Sequence, residues 1–175
     1  EKIHISPSKD FFLFKYKEND WFFAVHFLDD KCSLEPTNHS YFLANKMSLK
    51  AKKLLSLFLA ASSPVCEVEL CKFRDSLNDI SALGAQVIAI SNDGPFANKA
   101  FAEKNNYNFP VLGDYTSQTI KDYDILLKDL LHVKDYNAAK RSVFILDEEH
   151  KVIWKWVSED PLKEPDYSEI MNVLK

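Results

Sequence analysis

The sequence predicts an α/β chain, a central mixed β-sheet flanked by helices, on three observations. From about residue 50 onward, short apolar runs alternate with stretches whose apolar residues recur at helical spacing. Turn-forming residues separate the two kinds of segment, and the chain closes on two neighbouring apolar strands followed by a helix. The 175 residues, 46% hydrophobic and 27% charged, suit one domain with a full core.

Each element follows in order. Residues 11–28, FFLFKYKENDWFFAVHFL, read as two aromatic strands with the polar KEND between them as a turn. DDKCSLEPTNHS reads as a loop and YFLANKMSL as a short hairpin. KKLLSLFLAAS is apolar enough for a buried strand, but its Leu and Ala suit a helix as well, so propensity leaves both open. From Pro64, the residues Val65, Val68, Leu70, Phe73, Leu77, Ile80 and Leu83 recur at helical spacing, and Gly84 is placed to stop the helix. AQVIAIS is a short strand, Asn92-Asp93-Gly94-Pro95 a turn, and Pro95 suits the first turn of a helix over PFANKAFAEKNN. FPVLGD gives a short strand and loop, and TSQTIKDYDIL a short helix. RSVFILD, EEH and KVIWKWV form strand, turn and partner strand, and EPDYSEIMNVLK closes the chain as a helix. Trp154 and Trp156 alternate on their strand and share one face, for core packing or an interface.

Charge and composition narrow the function classes. A net charge of -4 disfavours a nucleic-acid or anionic-membrane partner, since both select basic faces. No apolar run approaches the ~20 residues of a membrane helix, and EKIHISPSKD lacks the pattern of a secretory signal. Cys32, Cys66 and Cys71 are too few for a disulfide scaffold and point to a reducing, cytoplasmic setting. His4, His26, His39, His132 and His150 do not cluster at ligand spacing, so neither a metal nor another cofactor is expected. Among the 22 basic residues only Arg74 and Arg141 are arginines.

The stretch FLAASSPVCEVELCKFRD carries two thiols five residues apart, a spacing that fits neither a zinc knuckle nor a CxxC redox pair. Cys66 falls in the first turn of the predicted helix, where unpaired N–H groups and the helix dipole favour a thiolate. Ser62 and Ser63 offer hydroxyls nearby, and the strand-to-helix junction is where open α/β sheets place their sites. Position alone leaves an inert core cysteine equally open. Arg74 has no carboxylate three or four residues away and reads as a solvated helix cation.

FLAASSPVCEVELCKFRDSL resembles the active-site segment of peroxiredoxins, closest to the bacterioferritin comigratory protein, or Q-type, branch. GAQVIAISNDGPFANKAFAEKNNYNFPVLGDY, AAKRSVFILD and WKWVSEDPLKEPDY are similar to that branch in the same order. The resemblance covers roughly residues 41–175 and leaves 1–40 as an N-terminal extension, a hairpin and loop. It implies the thioredoxin-like fold, hence a strand for KKLLSLFLAAS. On the family motif Pro-x-x-x-Thr/Ser-x-x-Cys, Cys66 takes the peroxide-attacking position and Ser63 the hydroxyl position, while Leu59 stands where the family has proline. Glu69 matches the glutamate that orients an arginine, and Arg141 the arginine that activates the thiol; as plain residues they read as a solvated carboxylate and a surface partner of Asp147 or Glu148. Ser63 reads equally as a helix N-cap.

The resemblance also makes Cys71 the resolving thiol. On an intact helix five residues rise about 7.5 Å with side chains about 140° apart, whereas disulfides need Cα atoms within roughly 4.4–6.8 Å. A Cys66–Cys71 bond therefore requires the helix to unwind. Cys32 lies outside the resembling region and reads as a bystander.

The implied function is a thiol peroxidase acting on hydrogen peroxide and organic hydroperoxides, recycled by a thioredoxin-like or small-thiol reductant, as a monomer or homodimer. Two alternatives stand beside it: a disulfide oxidoreductase on the same fold, which the lack of CxxC disfavours, and a non-catalytic, chaperone-like binding protein, suggested by Leu59 and the N-terminal segment.

Overall fold

The computed structural model describes residues 51–175, the Pro95 side chain apart, and before them the backbone of five strands. These are β1 (Lys2–His4), β2 (Phe11–Tyr16), β3 (Trp21–Leu28), β4 (Lys31–Cys32) and β5 (His39–Tyr41). β2 and β3 pair antiparallel with Phe14 opposite Phe23, the two strands expected of the aromatic run, and the turn expected at KEND lies outside the described residues. The loop expected at 29–40 differs: β4 and the start of β5 lie within it, both paired to β3. β4 pairs with the end of β3 just before it, Phe27 opposite Cys32, and β5 with its start, Trp21 opposite Tyr41. The hairpin expected over 41–49 lies, beyond Tyr41, outside the described residues.

A second sheet of five strands has the order β12-β11-β6-β7-β8. It comprises β6 (Lys52–Leu57), β7 (Ala85–Ser91), β8 (Val111–Gly113), β11 (Ser142–Leu146) and β12 (Val152–Val157). β6, β7 and β8 run parallel, while β11 is antiparallel to both β6 and β12, so the sheet is mixed as expected. The segment that propensity left open is thus a strand, buried on both faces from Lys53 onward. Its Leu content reads as helical only until its place between two strands is known.

Residues alternate across this sheet. Leu55, Leu57, Ile88, Ile90, Phe144 and Leu146 face one core, closed by α4 (Gln118–Asp122) and the segment after it. Leu54, Phe58, Val87, Ala89, Val143 and Ile145 face the other, under α1 (Pro64–Asp75), α2 (Leu77–Ala82), α3 (Pro95–Lys104) and α5 (Tyr167–Leu174). The short pair β9 (Leu126–Leu127) and β10 (Ala138–Ala139) joins antiparallel beside the first core, with the 3-10 turn Leu130–His132 between them.

Three expectations change. The single helix from Pro64 is two, interrupted at Ser76, and ends at Gly84, whose φ of +76 is the left-handed value a helix stop requires. Val68, expected in the apolar stripe, is 47% exposed. The buried face of α1 is Cys66, Glu69, Leu70 and Phe73, a stripe that includes a carboxylate and so escapes a hydropathy reading. The helix expected over 116–126 stops at Asp122: Asp124 turns left-handed (φ +56) and Ile125 N–H bonds back to the Ile120 carbonyl at 3.0 Å, freeing Leu126–Leu127 to form a strand.

Candidate active site

β6 delivers the chain to the site. Phe58 N–H extends the ladder to the Ile90 carbonyl at 3.0 Å, and a tight loop then leads into α1. The loop is pinned at its middle: Ala61 N–H donates to Asp93 Oδ2 at 2.7 Å, and Ser91 Oγ donates to the same oxygen at 2.8 Å. Ser62 has a left-handed backbone (φ +63), a conformation that costs a non-glycine residue about 1–2 kcal/mol. Pro64 opens α1, where its missing N–H is no loss. Cys66 follows in the first turn, fully buried, beside N–H groups that have no acceptor within the helix.

Arg141 reaches this thiol from across the sheet. It precedes β11 on the face shared by Val143 and Ile145, and it is 1% exposed. Its three nitrogens each have a task. Nη2 lies 3.4 Å from Cys66 Sγ, Nη1 donates to Glu69 Oε2, and Nε donates to the Pro161 carbonyl at 2.9 Å. The other oxygen of Glu69 accepts from Ser56 Oγ at 2.9 Å. Sulfur, guanidinium, carboxylate and hydroxyl form one buried chain, in which the guanidinium is fixed on two sides before it meets the thiol.

Electrostatics fit this order. Burial works against the charge on Arg141, but Glu69 and the Cys66 sulfur outweigh it, and the guanidinium is held above its ordinary value. Burial pushes the Glu69 carboxyl up, and the bonds from Arg141 and Ser56 act in the opposite direction. A buried carboxylate without such partners would neutralise itself.

Of the five residues singled out in the sequence, the structure brings Cys66, Glu69 and Arg141 into contact. Arg141 does not reach Asp147 or Glu148; its carboxylate partner is Glu69. Ser63 occupies the N-cap position of α1 with extended backbone (φ −69, ψ 130), yet its side chain makes no capping bond. Cys71 is half-buried on the same intact helix, 3.8 Å from the Tyr107 hydroxyl, and both thiols are free. Cys32 lies on β4 opposite Phe27, and its side chain is outside the described residues.

Arg74 departs from its expected solvation: it pairs with adjacent Asp75 at 2.8 Å and donates to the Asn105 carbonyl at 2.8 Å. Helical spacing overlooks both a next-door partner and one on another element. Leu59 packs half-buried against the core that holds Cys66, as do Trp154 and Trp156. Among the described residues no three His, Cys, Asp or Glu converge as a metal site.

Sequence reasoning missed Ser56, Asp93, Tyr107 and the Pro161 carbonyl. Ser56 left a signal, as the lone hydroxyl in the apolar run LLSLFL implies a buried partner. Pro161 acts through its backbone, and Asp93 and Tyr107 act on elements far away in sequence, so local pattern holds no trace of them.

Comparison with known proteins places these features in context. The family model described as AhpC/TSA matches residues 40–155. A putative peroxiredoxin bcp of Coxiella burnetii is 31% identical over 109 residues, covering 62% of this chain and 72% of the relative. A thiol peroxidase of Aquifex aeolicus is 32% identical over 141 residues, covering 76% and 78%. Among solved structures, a mutant of peroxiredoxin 6 from Arenicola marina superposes with a TM-score of 0.65 at 18% identity, over 71% of this chain. The chain spans only 60% of that structure's length, and that likeness concerns the fold alone.

Proposed function

This chain belongs to the AhpC/TSA family as a peroxiredoxin of thioredoxin-like fold, and on that premise we propose that it is a thiol-dependent peroxidase that reduces hydrogen peroxide and organic hydroperoxides at Cys66. The observation that carries the assignment is the Arg141 guanidinium 3.4 Å from Cys66 Sγ, clamped by Glu69 and the Pro161 carbonyl. The Cys66 thiolate attacks one peroxide oxygen. The O–O bond breaks, the sulfur becomes a sulfenic acid, and the departing oxygen leaves as hydroxide or alkoxide and takes up a proton. Negative charge moves from sulfur to that oxygen, and a fixed guanidinium with the first-turn N–H groups of α1 stabilises it at both ends. The Ser63 hydroxyl, not engaged in capping, is free to turn toward the incoming peroxide.

Cys71 then condenses with the sulfenic acid, giving a Cys66–Cys71 disulfide and water. Because both thiols sit on an intact α1, this step follows unwinding of its first turns. A thioredoxin-like protein or a small thiol returns the disulfide to two thiols. The reading includes a cytoplasmic setting, a monomer or homodimer, and residues 1–40 as an extension to the peroxidase domain at 41–175. Leu59, in the family's proline position, packs against the core that holds Cys66 and is placed to bear on peroxide preference.

The deciding experiment is peroxide consumption with dithiothreitol, wild type against Cys66→Ser. Turnover that disappears in the variant supports the assignment, and equal turnover in both rejects it. Insulin reduction without peroxide turnover makes the chain a disulfide oxidoreductase; neither activity makes it a non-catalytic binding protein.

A further inference from the structure

One residue outside α1 touches both the second thiol and the helix backbone. Tyr107 lies between α3 and β8, its ring 5% exposed and set between Phe101 (5.3 Å, edge-on) and Phe109 (5.2 Å, stacked). Its hydroxyl donates to the Glu67 carbonyl at 3.3 Å and lies 3.8 Å from Cys71 Sγ. In an α-helix the carbonyl of residue 67 is also the acceptor for the N–H of residue 71. The phenol therefore grips the turn that ends in Cys71 twice, at its acceptor and at its side chain. Neighbouring contacts tie the same stretch to the same place: Lys104 pairs with Glu67 at 3.1 Å, and Arg74 donates to the Asn105 carbonyl at 2.8 Å. All three ties come from the end of α3 and the residues just after it.

We propose that Tyr107 is a positioning residue for disulfide formation, a latch that holds Cys71 and its helical turn in place and sets how fast Cys71 is released to Cys66. The proposal rests on the reading of Cys71 as the resolving thiol. In that step the Cys71 sulfur, having lost its proton, attacks the sulfenic sulfur of Cys66. The S–S bond forms, the S–O bond breaks, and hydroxide leaves and takes up the proton as water. Cys71 is oxidised and the sulfenic sulfur reduced. The intact helix keeps the two sulfurs from meeting, so the bonds of Tyr107 must open first. Burial, and then the contact with Cys71, hold the Tyr107 hydroxyl well above its usual titration range. It stays neutral, donates to the carbonyl, and does not act as the base for Cys71.

Tyr107→Phe deletes the hydroxyl and keeps the packed ring, so it isolates the latch. In a Cys66→Ser background, alkylation of Cys71 by iodoacetamide should accelerate about fivefold, the rate equivalent of one hydrogen bond of roughly 1 kcal/mol. With Cys66 present, stopped-flow fluorescence should show an unchanged rate of peroxide attack and a disulfide step faster by the same factor. The peroxide concentration that overoxidises half of Cys66 should rise accordingly. Equal alkylation rates overturn the latch, and so does slower disulfide formation, which would make the hydroxyl an aid rather than a restraint. If mass spectrometry of peroxide-treated wild type shows no Cys66–Cys71 bond, the resolving role of Cys71 falls instead. The alkylation ratio, which involves no peroxide, then still decides whether Tyr107 restrains the helix.

Discussion

At the scale of single residues, Arg141 concentrates the chemistry. Its planar fork sends three bonds in three directions, to sulfur, carboxylate and carbonyl. A lysine carries the same charge at one point and cannot span them. Arg141→Lys should leave a folded chain by circular dichroism while the rate of peroxide consumption drops on the order of 10²-fold, the usual loss for one misplaced donor to developing charge. Glu69→Gln has the complementary effect. It leaves a buried guanidinium without its counter-charge, so stability measured by urea unfolding should fall by about 3–5 kcal/mol.

At the scale of elements, α4 depends on a residue outside it. Asp114 accepts the N–H of Gln118 at 3.1 Å and of Ile120 at 3.0 Å, serving the first turn of a helix whose N-cap residue, Ser117, makes no capping bond. Burial pushes its carboxyl up to about 6 from an ordinary 3.8, with those backbone bonds pulling the other way. The folded chain therefore keeps a proton that the unfolded chain releases. The stabilisation from this group is complete below about pH 4 and is lost as pH rises toward 6, a change of up to about 3 kcal/mol. Unfolding measured between pH 4 and 6 should show this slope in wild type but not in Asp114→Asn, and the carboxyl carbon of Asp114 should titrate near 6 by NMR.

At the scale of the whole molecule, the sheet separates two cores, and only one supports the site. Leu54 packs in the core that contains Cys66, Leu70 and Phe73, whereas Leu55, next in sequence, packs on the far face with Ile120 and Phe144. Truncating either to alanine should cost about 2–5 kcal/mol. Measured where both variants remain folded, Leu54→Ala should slow the reaction of Cys66 with peroxide, and Leu55→Ala should leave it near wild type. Matched losses of stability with equal slowing would mean that the site senses global stability rather than its own core.

Sequence alone determined most of the strands and helices from Pro64 onward, the short pair β9 and β10 excepted, and the stop at Gly84, while the family resemblance supplied the candidate set Cys66, Glu69 and Arg141. Those features rest on local pattern, on turn chemistry and on motifs that survive as short runs. Three matters needed the tertiary structure. KKLLSLFLAAS became a strand because β7 and β11 supply its hydrogen-bond partners. Glu69 turned from a solvated helix carboxylate into a buried clamp because Arg141, from another element, meets it there. Asp93 and Tyr107 hold the loop before Cys66 and the turn before Cys71 from elements distant in sequence, and such long-range bonds leave no period in the chain. Local periodicity records which face of an element is apolar; only packing decides which polar groups that face carries inward with it.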